Sequence, residues 1–372
     1  MARRAGTRQE GQAREPAPTG LSSSANKIMD AEQIRTKLRS RQTQDRIGAF
    51  AQIARLDPPE RQALLLEALA DKSPYVAALA AEALGDGADD RAALVLTEHF
   101  GTLCADGPKL DPGCHIRANL AFSLGRLEYR PASDMLRLGI KIVQVEAVGG
   151  VPFDTAAHLR ANCALALAQI GDPDCVRDIA LLLFDRSGFA FNRAPIDPTI
   201  KMEPRKAAAQ ALAITGSVQA RLPLTLKLVY PENEEPEVLQ ECMTALVDLE
   251  DPHALEVLEP YLKHSDRRLA AYSALMIART QSPGAAGLLA AAIPSFSGDT
   301  LKAVVLALAT VRAPEAYDHL HALAGSDREA VRLAVIDALP PDAASQALLK
   351  KLAARDPSPK VKAAAKLALL PE

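Results

Sequence analysis

The sequence predicts an all-α solenoid of about nine stacked helix pairs, and three observations carry that expectation. One apolar phrase recurs along the chain, each copy brings its own helix-stop and helix-start residues, and the apolar content is mostly Ala and Leu. Aromatic residues make up 4% of the 372, with no Trp. Ala and Leu are strong helix formers, whereas strands favour β-branched and aromatic residues. With 48% hydrophobic residues and a net charge of -3, the chain has ample material for a core, which excludes a chain disordered throughout.

Residues 1–41 hold nine Lys/Arg against four Asp/Glu, a net of +5, with Gly, Pro and Ser and little apolar pattern before Ile28. They read as a disordered basic tail. Arg3 and Arg4 are not followed by an apolar run of the usual length, so no secretory or twin-arginine signal is expected. The long apolar stretches, such as Leu301 to Arg312, are bounded by charge and too short to span a bilayer. A cytoplasmic protein is expected, and the five cysteines, an odd number, read as reduced apolar residues rather than a disulfide framework.

Residues 42–372 read as the solenoid. HLRANCALALAQIGDPD, CHIRANLAFSLGRLEYRPA, EPRKAAAQALAITGSVQA, VLQECMTALVDLEDPHA, RRLAAYSALMIARTQSP, AVRLAVIDALPPDAA and KVKAAAKLALL share one pattern. Leu84, Leu124, Leu167, Leu212, Leu246, Leu275, Leu308, Leu339 and Leu369 take one equivalent position, at intervals of 40, 43, 45, 34, 29, 33, 31 and 30 residues. The underlying period is about thirty. In the turn after Leu167, Gly171 suits a left-handed helix end, Asp172 an N-cap and Pro173 the next first turn. Apolar residues three and four apart on either side give each helix one stripe, which a lone pair cannot bury. Stacking on the next pair completes the core.

These residues resemble the HEAT-like repeats named after the phycobilisome lyases: an Arg-bearing first helix, Ala-Leu-Gly, Gly-Asp-Pro, then a Leu-rich second helix. The resemblance covers about residues 44–370. It implies a stacked-helix fold and a choice among lyases, hydroxylases, adaptors and scaffolds. The deoxyhypusine hydroxylases among such proteins bind di-iron through repeated His-Glu dipeptides, and this chain has none.

Arg117, Arg160, Arg205, Arg268, Arg332 and Lys362 each stand seven residues before an anchor Leu, on nearly the same helix face. A basic residue repeated once per unit is read as an internal ladder, with its methylenes buried and its charge sent to turns such as that of Asp172. The three longest intervals mark insertions at about 105–114, 148–157 and 186–203. Stacking places them on one edge, where insertions often bind, so Phe153, Phe189, Phe191 and Arg193 are candidate partner-binding residues. The second helices, which line the concave side in such repeats, offer Arg61, Arg91, Arg137, Lys141, Arg177, Arg221 and Lys227. Arg137, Lys141 and Arg177 join the candidates.

Residues 231–372 carry 14 basic and 20 acidic side chains, and the sequence pI is 6.2. Duplex nucleic acid asks for the opposite balance. Cys104, Cys114, His115 and His99 lack zinc-ligand spacing. No phosphate loop, nucleophile elbow or Ser/His/Asp cluster stands in the sequence. The reading is a non-catalytic scaffold for a protein or peptide, with no catalytic residues, metal or cofactor assigned. Two alternatives stay open: a lyase-like subunit acting on a tetrapyrrole or modified protein, and a nucleic-acid binder using the tail and N-terminal arginines.

Overall fold

A computed structural model describes residues 29–148, 150–185 and 198–370. Contacts divide the chain into two units, Met1–Asp57 and Pro58–Glu372. In the first, α1 (Ala31–Leu38) and α2 (Thr43–Ile53) pack together. The first helix falls inside the segment expected to be a tail. It is nucleated by a capping box, in which Asp30 accepts from Gln33 N and the Gln33 side chain accepts from Asp30 N, and it buries Ile34. Arg46 is also buried and donates to Ser40 O at 2.9 Å.

The second unit begins with α3 (Pro58–Leu69), α4 (Pro74–Leu84), α5 (Asp90–Cys104), α6 (His115–Arg126) and α7 (Ser133–Gly139). After a hairpin of β1 (Val145–Val148) and β2 (Val151–Asp154) come α8 (Ala157–Gln169), α9 (Cys175–Leu182), α10 (Pro198–Ile214), α11 (Arg221–Val229), α12 (Pro236–Asp248) and α13 (Ala254–Leu258). The chain continues through α14 (Arg267–Thr280), α15 (Ala285–Ala292), α16 (Gly298–Thr310), α17 (Pro314–Leu323), α18 (Glu329–Ala338), α19 (Ala343–Arg355) and α20 (Pro359–Ala368). From α4 onward the even-numbered helices each pack on the next even one, and each odd-numbered helix lies against the even helix that follows it. This is the expected helical solenoid, with a hairpin as its one sheet among the described residues. No helix among those residues is long and apolar enough to cross a membrane.

Small side chains let the even helices approach closely. Ala80, Ala81, Ala121, Ala164, Ala208 and Ala211 are almost fully buried. Most anchor leucines are buried too, but Leu275 is 43% exposed, while Ile277 is fully buried. The repeat register in α14 therefore runs through Ile277, and seven residues earlier stands Ala270 rather than Arg268. Arg268 is accordingly exposed, and the ladder skips this pair. The same spacing applied to buried Ile53 identifies Arg46 as a rung in the first unit.

The turn inside a pair is fastened from the preceding pair. Gly171 adopts φ +67, as a left-handed helix end requires. Asp172 is not the N-cap of α9, which starts at Cys175. It accepts instead from Asp174 N at 2.9 Å and from Arg137 of α7 at 2.6 Å. Arg130 donates to Ile170 O at 3.1 Å, and Arg61 to Asp86 O at 3.0 Å. Arg221 donates twice to Leu249 O, at 3.1 and 2.6 Å. Arg61, Arg130 and Arg221 satisfy carbonyls left without an intrahelical partner at the end of the following even helix, whereas Arg137 holds the carboxylate of the turn.

Candidate partner-binding surface

The ladder arginines are buried and paired, but their acceptors come from the connections between pairs rather than from the Gly-Asp-Pro turn. Arg117 donates from Nε to Asp111 at 3.0 Å, and Arg332 grips Asp356 with Nε and Nη2 at 2.8 and 3.0 Å. Arg160 reaches both Asp154 and Asp185 at 2.8 Å. Arg205 reaches Glu234 at 3.1 Å and Glu235 at 2.6 Å. Burial works against the charge of Asp356, yet hydrogen bonds from Arg332 and Ser358 N and the nearby charges of Arg332 and Lys362 hold its pKa below the ordinary carboxylate value.

The first two insertions meet in one buried network. Asp111 accepts from Ile116 N and Arg117 N at 3.0 Å each, capping α6. Arg117 also donates to Gln144 Oε1 at 2.5 Å and lies 3.2 Å from Cys114 Sγ. Gly113 N donates to Glu146 of β1 at 2.8 Å, and Thr155 donates to the same carboxylate. Burial raises the Glu146 pKa, but the Thr155, Gln144 and Gly113 hydrogen bonds and Arg117 outweigh it, leaving it below the usual range. Burial pushes the Cys114 thiol up to about 12, against the attraction of Arg117. Among the described residues no group of three or more His, Cys, Asp or Glu is placed to hold a metal.

Phe153 belongs to this packed region. It pairs with Glu146 across the hairpin and is 7% exposed, so it fills the interior instead of offering a ring to a partner. The insertion pattern located the segment correctly but not the side of the strand on which Phe153 falls. Phe189, Phe191 and Arg193 lie outside the described residues. His115, weighed above with Cys104, Cys114 and His99, and His158 line one cavity of about 340 Å³ with Tyr75, Glu82, Asn119 and Asn162, because each histidine stands nine residues before its anchor Leu. Asn119 and Asn162 staple neighbouring helices, donating to Ala78 O and Ala118 O at 2.9 Å. The repeated Arg-Ala-Asn of α6 and α8 was the available sign.

The odd-numbered helices hold most of the remaining candidates. Arg137 binds Asp172 and lies 3.8 and 3.9 Å from Asp174 and Asp178. Lys141 sits 3.1 Å from Asp178. Lys227 is buried against Glu234, with its ammonium 5.0 Å from the Phe184 ring centroid. With Arg61 and Arg221 bound to carbonyls, the basic row is largely consumed inside the protein; Arg91 and Arg177 are exposed.

Beside these charges the helices present an aliphatic row. The buried faces of α7, α9 and α11 align as Ala132, Leu136, Ile140; Cys175, Ile179, Leu183; and Ala220, Leu224, Leu228. Two residues beyond the middle member stand Leu138, Leu181 and Leu226, which are 46%, 61% and 43% exposed. Three residues further, Lys141, Phe184 and Val229 are exposed as well. In the flanking pairs the Leu position is held by exposed Glu98 and Pro260, so the stripe is confined to three successive pairs.

One pair of the stack is matched by the PBS lyase HEAT-like repeat, over residues 159–185, which take in most of α8 and all of α9. Residues 159–185 thus carry a PBS lyase HEAT-like repeat. Similar solved structures include an engineered protein, 18% identical with 92% of this chain and 98% of that one covered and a TM-score of 0.40. The CpcE–CpcF complex of phycocyanin lyase from Nostoc sp. PCC7120 is 19% identical, with 73% and 93% covered and a TM-score of 0.35. A mutant of Kap121p is 13% identical, with 91% of this chain but 40% of that one covered and a TM-score of 0.47. No curated protein matches the chain.

Proposed function

We propose that these HEAT-like repeats form a non-catalytic scaffold that holds a protein or peptide across α7, α9 and α11. The observation that carries this is the row of Leu138, Leu181 and Leu226, exposed at one equivalent position on three successive pairs. Scattered surface leucines need no explanation, but aliphatic side chains brought into one row mark an interaction site. Arg177, exposed one turn before Leu181, joins the row, and Phe189, Phe191 and Arg193 remain proposed partner-binding residues of the insertion at 186–203. The nucleic-acid alternative finds little support here, because five of the seven candidate cations, Arg61, Arg137, Lys141, Arg221 and Lys227, are already bound to carboxylates and carbonyls.

A row held on packed helices also limits what a partner must order on binding, which favours a segment that lies across several pairs. Burying one such Leu contributes about 1.5–3 kcal/mol. Leu181→Asp is therefore expected to weaken partner capture by at least about tenfold while leaving the helical signal intact, since the side chain is exposed. Capture from native cell extract by wild type, Leu181→Asp and the Phe189→Ala/Phe191→Ala variant, followed by mass spectrometry, tests the reading. A partner retained equally by all three would remove both the row and the edge from the binding surface.

A further inference from the structure

The hairpin leaves one of its two edges open. Thr155 N donates to Gln144 O at 2.8 Å, which sets the phase of the ladder: Glu146–Phe153 and Val148–Val151 exchange hydrogen bonds, whereas Val145–Asp154 and Ala147–Pro152 turn their backbone groups away from the opposite strand. On β2 the outward position at 152 is a proline, which has no N–H to offer. On β1 the outward positions are Val145 and Ala147, and no hydrogen bond to their N–H or C=O is found among the described residues.

The surroundings favour occupation of that edge. Val143, Val145 and Ala147 are exposed, whereas Gln144 is buried and Glu146 is held by Gly113 and Thr155. The side of β1 that faces the body is thus fixed by the buried network around Arg117, and the edge is presented without freedom to be lost on binding. Proteins ordinarily block such edges with Pro, charge or a covering element. Among the described residues this hairpin blocks one and leaves the other bare, with only aliphatic side chains at the outward positions of β1.

We infer that the outer edge of β1 receives an extended segment of a protein partner, added as a third strand. The occupant's chemistry follows from the groups that wait for it: a backbone in β conformation, N–H and C=O available at alternate residues, no proline at those positions, and small or apolar side chains toward Val143 and Val145. The inference rests on the reading of the chain as a protein-binding scaffold. It uses residues 143–147, separate from the Leu138, Leu181 and Leu226 row, so the two can fail independently.

The test uses the full chain and peptides selected on it from a random twelve-residue display library. Hydrogen exchange read residue by residue is expected to slow at least tenfold at the Val145 and Ala147 amides when a selected peptide binds. Ala147→Pro should weaken that peptide at least tenfold, because it removes an outward N–H without touching the ladder to β2. Ala147→Ser, which keeps the N–H, should leave the affinity unchanged. Peptides that bind while both amides exchange at the free rate overturn the inference, as does a selection that yields no binder. Binding lost in Leu181→Asp but not in Ala147→Pro overturns it while sparing the scaffold. A dimer of the chain alone, seen by sedimentation and abolished by Ala147→Pro, would assign the edge to a second copy and likewise refute it. Wild-type exchange decides the matter even where the proline variant folds poorly.

Discussion

Replacing Arg160 by Met tests whether the ladder holds the hairpin to the stack. The guanidinium is buried and lies 2.8 Å from both Asp154 and Asp185, and its Nη1 donates to Ile142 O at 2.9 Å. Met keeps much of the side-chain length but removes the Arg160 charge from beside Asp154, a carboxylate that is itself almost inaccessible. Breaking such a pair from one side costs about 3–5 kcal/mol. Asp154 also accepts from Gln144 N at 3.2 Å and Ala156 N at 3.1 Å, so Asp154→Asn removes the charge while keeping an acceptor for both amides. The double variant Arg160→Met/Asp154→Asn should then recover part of the loss. Urea unfolding followed by circular dichroism gives the stability, and hydrogen exchange over residues 142–155 shows whether the hairpin opens first. A single variant within about 1 kcal/mol of wild type would mean that these carboxylates are solvated and that the ladder contributes little.

The Asp356 pKa is depressed below the ordinary value of 3.8, so its contribution to stability is fully present above about pH 4 and is lost as pH falls through the lower folded value. Asp356→Asn should be less stable at pH 7 and show a flatter loss between about pH 4 and 2 in urea titrations; parallel curves would contradict the assignment. All five cysteines are free, and burial raises Cys175 to about 11 and Cys114 to about 12. At pH 8 a thiol of pKa about 12 is thiolate in about one molecule in ten thousand. A disulfide reagent should therefore label these two only as the chain unfolds, and rapid labelling of Cys114 in the folded protein would show an open site.

The fold was legible because its signals repeat. Leu84, Leu124, Leu167 and Leu212 mark the same buried position, and the Arg spacing identified charges that do go inside. Legibility failed where a local choice decided the outcome. Two leucine-like positions stand two apart in α14, and Leu275 was taken where Ile277 is buried. Ile53 hid the Arg46 rung because an isoleucine replaced the expected leucine. The acceptors of the ladder arginines lie 6 to 30 residues away in sequence, in connections whose path no periodicity announces. At the candidate surface, the basic residues were visible but their consumption by Asp172, Asp178 and Glu234 was not, since that depends on which turn each helix end meets. The aliphatic row was hidden for the same reason: Leu138 and Leu181 look like core residues until the buried faces of their short helices are set.

The guanidinium clasps on three of the turns inside pairs carry an evolutionary consequence. Arg61, Arg130, Arg137 and Arg221 all grip that turn in the following pair, so lengthening it would pull a carbonyl or carboxylate from its donor and shift everything downstream. The opposite connections are anchored only at single points, by ladder arginines at residues such as Asp111, Asp154 and Glu234, and it is between those anchors that the chain has grown by about ten to fifteen residues without disturbing the repeat. Selection is thus free to rewrite one margin of the stack while the other keeps time, and new specificities can be written into the protein without renegotiating its fold.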